Sequence, residues 1–166
     1  MEINLENHNG GVVFQHPING LIEIYKFQDA PLEGYDTYLC SDFKKINLAK
    51  LSKDLILVAN DPIASIDIAH NFIVGCDFFW DNPDYLYHGF ATPDRGPLDK
   101  NISLTSFCVT HPWCFESEYM NENYFLLIPI STNELKFLQK YGISNLERHF
   151  FDNKINVFNL ERESSI

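Results

Sequence analysis

The sequence predicts a single α+β domain over residues 1–166, a mixed and mostly antiparallel sheet with helices packed against it. Short β-branched and aromatic runs alternate with stretches of helical periodicity, and such mixtures bury their apolar faces by layering. The chain has 166 residues, 45% of them hydrophobic, enough to fill one core without metal or disulfide staples. No internal repeat or low-complexity segment interrupts it.

Residues 1–18 read as a loose lead-in, because Asn7-His8-Asn9-Gly10-Gly11 and His16-Pro17 carry turn chemistry. Ile22–Phe27 and Thr37–Cys40 are predicted strands on either side of a loop around Pro31. Leu55–Ala59 is continuously apolar, as a central strand covered on both faces requires. Asp61 is placed to cap a helix that Pro62 begins. Ile63, Ile66, Ala69, Phe72 and Ile73 then recur at helical spacing, with Gly75 as the expected end. Residues 80–101 hold Asn82-Pro83, Thr92-Pro93 and Arg95-Gly96-Pro97 with little periodicity. They predict a long loop or loosely paired hairpin, of a length that often carries function.

Ser103–Val109 and Tyr124–Ile130 are two further predicted strands. Ser131-Thr132-Asn133-Glu134 is a capping box, and Ile130 and Leu135 are spaced as a hydrophobic staple. Leu135, Leu138 and Tyr141 give that helix its buried stripe, and Gly142 its left-handed stop. A second box, Ser144-Asn145-Leu146-Glu147, opens another short helix, and Ile155–Leu160 is predicted as the closing strand.

Charge narrows the function classes. The net charge is −11, from 23 acids against 12 bases. Between Asp54 and Glu134 there are 12 acids and only two bases, Arg95 and Lys100, so this segment carries −10. A nucleic-acid ligand would need a positive stripe, and none is visible. Such charge either suits a basic protein partner, with long-range attraction speeding association, or simply serves solubility. No run reaches the roughly 18 apolar residues of a membrane helix. The N-terminus does not read as a secretory signal, and the four scattered cysteines read as buried thiols of a reducing compartment; the cytoplasm is the expected location.

The C-terminal third carries a resemblance. Leu127-Ile128-Pro129-Ile130-Ser131-Thr132-Asn133-Glu134-Leu135 runs on to Tyr141-Gly142-Ile143-Ser144-Asn145-Leu146 and closes with Leu160-Glu161-Arg162. This arrangement resembles the suppressor-of-fused-like domain, with its "P-I-T/S-x-x-E" helix start, "G-x-x-x-L" short helix and final strand ending near an Arg. Upstream, Ile22-Glu23-Ile24-Tyr25-Lys26-Phe27 and Tyr38-Leu39-Cys40-Ser41-Asp42 look like the family's early strands, although its Gly-rich turn is reduced here to Leu39–Asp42. The resemblance implies a mixed α/β domain that acts by binding proteins. Small bacterial members look like immunity proteins against polymorphic toxins, frequently nucleases, and larger animal relatives bind a transcription factor.

Several residues invite chemistry. Cys108-x-x-His111-x-x-Cys114 has metal-like spacing but lacks a compact fourth ligand, and buried thiols explain it as well. His111 with Cys114, or His70 with Cys76, could form a nucleophile pair; the sequence marks no orienting group or oxyanion hole. Asp81/Asp84 and Glu116/Glu118 lack the regular ligand spacing and central Gly of a Ca²⁺ loop, and read as solvated surface or partner contacts. Trp80, Tyr85 and Tyr87 are either interface anchors or ordinary core.

The sequence therefore predicts no catalytic, cofactor-binding or metal-binding set. It predicts a module whose partner-binding residues are Asp77, Trp80, Asp81, Asp84, Tyr85, Asp94, Glu116, Glu118 and Glu122. The leading expectation is an immunity protein that occludes a basic toxin domain. A regulatory adaptor for an endogenous protein and a metal-dependent hydrolase are the alternatives.

Overall fold

A computed structural model describes residues 11–15, 23–40, 53–60, 65–99 and 102–166, with side chains left undescribed at 11–15, 65–70 and 73. The turns at Asn7–Gly10 and His16-Pro17, the Ser41-Asp42 pair and the Asp61-Pro62 helix start lie outside the described residues.

Six strands form one sheet: β1 Gly11–Gln15, β2 Glu23–Phe27, β3 Tyr35–Cys40, β4 Asp54–Asn60, β5 Ser106–Thr110 and β6 Tyr124–Ile130. Their order is β1-β2-β3-β4-β6-β5. Neighbours run antiparallel except β4 and β6, which are parallel with Leu55 opposite Phe125. The described helices are α1 Ser65–Asp81, α2 Glu118–Asn123, α3 Thr132–Tyr141 and α4 Ile143–Asp152.

Alternation along β4 splits the core into two. Leu55, Leu57 and Ala59 pack with Phe72, Cys76 and Phe79 of α1. Ile56 and Val58 point the other way, into Leu135 and Leu138 of α3 and Leu146 and Phe150 of α4. Residues 54–59 are thus buried without a break, which is why this strand reads as continuously apolar. The expected mixed, mostly antiparallel sheet with helices packed on it is what forms.

Within the expected lead-in, Gly11–Gln15 is a strand, paired with β2 across a bulge between Val12 and Phe14. Gly75 does not end α1, which continues to Asp81. The glycine serves a close approach: a Cβ there would lie 2.9 Å from Cδ2 of Phe107 in β5. The helix ends instead at Asn82, whose backbone N–H and side-chain amide both donate to the Phe78 carbonyl, at 3.0 and 2.9 Å.

The segment after α1 has a structural task. Gly89 N–H donates to the Val109 carbonyl, Val109 N–H to the Phe90 carbonyl, and Thr92 N–H to the Phe107 carbonyl, each at 2.8 Å. The outer edge of β5 is thereby covered, which removes a template for unwanted strand pairing.

The first capping box forms as read: Ser131 Oγ accepts from Glu134 N–H at 3.2 Å, and Glu134 Oε2 accepts from Ser131 N–H at 2.9 Å. Ile130 and Leu135 share one core, and Gly142 closes α3 at φ +82°. Tyr141, however, is 48% exposed and lies over Phe137 rather than in the buried stripe. The second box does not form: Gly142 caps α4 without any side-chain hydrogen bond, which places Glu147 beyond the first turn.

Ile155–Leu160 is not a strand. Asn156 and Asn159 side chains accept from Phe158 N–H (3.2 Å) and Glu161 N–H (3.0 Å), and these local turns displace ladder pairing. At the end of β4, Asn60 N–H donates to the Phe158 carbonyl at 2.8 Å. The segment passes the end of β4, giving Val157 to one core and Leu160 to the other.

Arg162 then locks the tail. Its two terminal guanidinium nitrogens donate to Glu134 at 2.6 and 2.9 Å, and one also reaches the Pro129 carbonyl at 3.0 Å. Ser165 adds backbone and hydroxyl donors to the same carboxylate, at 3.0 and 2.6 Å. Glu134 is 0% exposed, so a full donor set is what makes its charge tolerable.

Candidate functional site

An open cleft of about 750 Å³ lies where the end of β5 meets α4 and the turn after it. Its volume lies within the roughly 300–1,000 Å³ of ligand sites. Ile128, Phe150 and Val157 are buried residues of the second core that line it. Trp113 and Phe151 stand on its rim, 52% and 83% exposed, and Trp113 is held by stacking on Phe158 at 5.4 Å between centroids.

Polar groups gather at one side. Gly89, at φ +93°, brings the preceding His88 against α4. The His88 ring stacks on that of His111, with centroids 4.6 Å apart and planes 16° off parallel. His88 Nε2 lies 3.7 Å from Glu147 Oε1, which also accepts the Thr110 hydroxyl at 3.0 Å. His88 Nδ1 is buried without a hydrogen-bond partner. An Nε2–H tautomer fits this, since it turns the donor toward the carboxylate and leaves Nδ1 a bare acceptor. Burial, then the neighbouring His88 and Lys53, lower the pKa of His111, while Glu147 opposes them. His111 is therefore neutral at neutral pH.

The nine sequence-predicted partner residues do not converge here. Asp77, Trp80, Asp81, Asp84 and Tyr85 belong to α1 and the turn after it, over the first core. Trp80 packs partly buried against that core, while Tyr85 is exposed and stacks on Phe90 at 4.9 Å. Glu116, Glu118 and Glu122 lie on the other layer, in or beside elements anchored by Phe115 and Met120. Asp94 stands apart from both groups. It accepts the Thr132 hydroxyl at 2.5 Å and Gly96 N–H at 2.9 Å, bonds that hold its pKa below the ordinary value. The sheet thus separates the two acidic groups, because residues near one another in sequence sit on either side of it.

The metal-like spacing does not close into a ligand set. Cys108 points into the second core, and His111 turns out toward His88. Burial pushes the Cys108 and Cys114 thiols up to about 12. Among the described residues, no three or more His, Cys, Asp or Glu side chains gather as metal ligands. Cys40 and Cys76 are buried free thiols of the first core.

The cleft was not legible as a site. His111 stood out for its spacing to Cys108 and Cys114, and Glu147 read as a helix cap. One signal was available: in Phe150-Phe151 an amphipathic helix can bury one ring, so the adjacent one must face elsewhere. Among the described residues, no helix is long and apolar enough to cross a membrane.

No family model matches the chain, and no curated protein matches it by sequence. The structure is similar to the crystal structure of a protein described as a SUFU (suppressor of fused) homolog from Neisseria gonorrhoeae. The TM-score is 0.77 at 18% identity, over 98% of this chain and 90% of that one. With the sheet order, the two-faced β4 and the capped C-terminal helices in place, the chain has the suppressor-of-fused-like fold.

Proposed function

We propose that the chain is a protein-binding module of the immunity type, which neutralises a basic toxin domain by occluding its substrate site without chemistry. The observation that carries this reading is exposed acidic charge on both faces of the sheet. Asp81, Asp84, Asp94, Glu116, Glu118 and Glu122 are all exposed and belong to the segment that holds −10 of the −11 net charge. A nuclease-type toxin domain is basic because it must bind a polyanion, and so presents the complementary field. Field attraction sets the rate of association, and exposed aromatics supply affinity once contact is made. The suppressor-of-fused-like fold supports the reading, since the resemblance implies action by binding proteins.

The test is co-expression with the toxin domain encoded beside this chain. The parent restores growth, and Asp81→Asn, Asp84→Asn, Glu116→Gln and Glu118→Gln together slow association, with much of the salt dependence lost. A neighbouring gene without a toxin, or rescue and association unchanged by the four substitutions, would overturn the reading; the first result favours the adaptor.

A further inference from the structure

We infer that the cleft between β5 and α4 is the anchor pocket for the partner, taking an apolar side chain and an adjacent arginine or lysine from a basic protein segment. The occupant rests on the basic-partner reading above; the pocket rests on its own geometry.

Two halves of the cleft specify the two side chains. Ile128, Phe150 and Val157 present apolar surface at its lining, and Phe151 leaves 83% of its area open beside them. An aromatic side chain this exposed on a helix whose inner face is already filled by Leu146 and Phe150 gains by being covered. The remaining question is what else the occupant carries.

Glu147 answers it by charge complementarity. Its Oε1 is engaged by Thr110, while Oε2 has no hydrogen-bond partner among the described residues. The two imidazoles beside it do not supply a firm counter-charge: Nε2 of His88 is 3.7 Å away, and His111 is kept neutral. Lys154, at the turn, is the cation lining the cleft, and no ion pair joins it to Glu147. A half-buried carboxylate with an open oxygen in apolar surroundings is best completed by a guanidinium or ammonium group. Trp113, fixed by its stack on Phe158, offers a ring face to the same cation. Interface anchors of this kind, an aromatic or Arg in a largely dry pocket, carry most of a partner's affinity. In contrast to the dispersed acids at 77–122, these groups converge.

The probe is N-acetyl-Phe-Arg-amide, with N-acetyl-Phe-Glu-amide as control, titrated while the His88 and His111 ring protons and the Ile128, Ile155 and Val157 methyls are followed by NMR. The expected result is saturable shifts with Kd in about the millimolar range, as suits a small anchor fragment. The Phe-Glu peptide should give no saturable shifts. Glu147→Gln should weaken Phe-Arg binding about five- to tenfold. Phe151→Ser should also weaken it while leaving the fold intact, because the residue is almost wholly exposed. Absence of shifts, equal binding of both peptides, or binding unchanged in both variants would overturn the pocket. Peptide binding as expected, without neutralisation of any basic toxin domain, removes the immunity reading and leaves the pocket standing. A toxin bound at full strength by both variants, with no peptide shifts, removes the pocket alone.

Discussion

Glu134 on α3 and Glu147 on α4 begin from the same local motif, S-x-x-E, and the fold treats them in opposite ways. Glu134 is 0% exposed, and Ser131, Arg162 and Ser165 supply donors to both of its oxygens. Glu147 is half-buried, accepts one hydrogen bond from Thr110, and faces an open cleft. A buried carboxylate survives only with its shell complete, so the first region is fastened and structural. The second is left incomplete among exposed aromatic rings, and an incomplete polar shell in apolar surroundings is what a partner can finish.

The largest test of that contrast is Arg162→Ala. It strands the Glu134 charge in the core and should cost about 3–5 kcal/mol in urea unfolding. Glu147→Gln, at a half-exposed site, should cost about 1 kcal/mol or less. Equal losses would erase the distinction.

Acid provides the next. Burial alone would raise the Glu134 pKa, but hydrogen bonds and charge from Arg162, with Ser165 and Ser131, outweigh it and hold the group below the ordinary 4.5. Because the folded value is depressed, the linked stability is fully present above the unfolded value of about 4.3 and disappears as pH falls through the folded one. The urea midpoint should therefore drop on acidification in that window. A Glu134→Gln, Arg162→Met double variant should lose that part of the slope.

Smaller effects probe the cleft. Gly89→Ala meets both a φ of +93° and a Cβ 2.9 Å from Cγ2 of Ile143. It should cost about 1–3 kcal/mol and weaken the His88–His111 ring-current shifts. Phe151→Ser should stay within about 0.5 kcal/mol of the parent, since little surrounds the ring. Least of all, His111 should titrate below 6.5 by NMR, and Glu147→Gln should lower it further by removing the carboxylate that favours its charged form.

Legibility followed the range of the interaction. The capping box at Ser131, the strand Tyr124–Ile130 and the doubly covered β4 were readable because each is written in contiguous residues. Gly75 misled as a helix stop, since its reason is the ring of Phe107 on β5. Tyr141 fits a buried stripe by spacing yet faces outward: Leu135 and Leu138 are the apolar residues of α3 that are fully buried, and Tyr141 lies over Phe137. The acidic residues were legible as charge but not as a surface, for the sheet separates α1 from α2.

By itself, then, the sequence determined the layer architecture, the two C-terminal helices with the capping box of the first, the suppressor-of-fused-like fold and the acidic middle of the chain. Periodicity, caps and charge are properties of neighbouring residues. Only the tertiary structure decided which S-x-x-E became a cap and which faces a cleft. Gly142 took over the start of α4, and Thr110, more than thirty residues away, took up Glu147. It also decided that Arg162 ends in a buried lock instead of a strand. Those outcomes depend on contacts between distant segments, which no local pattern encodes.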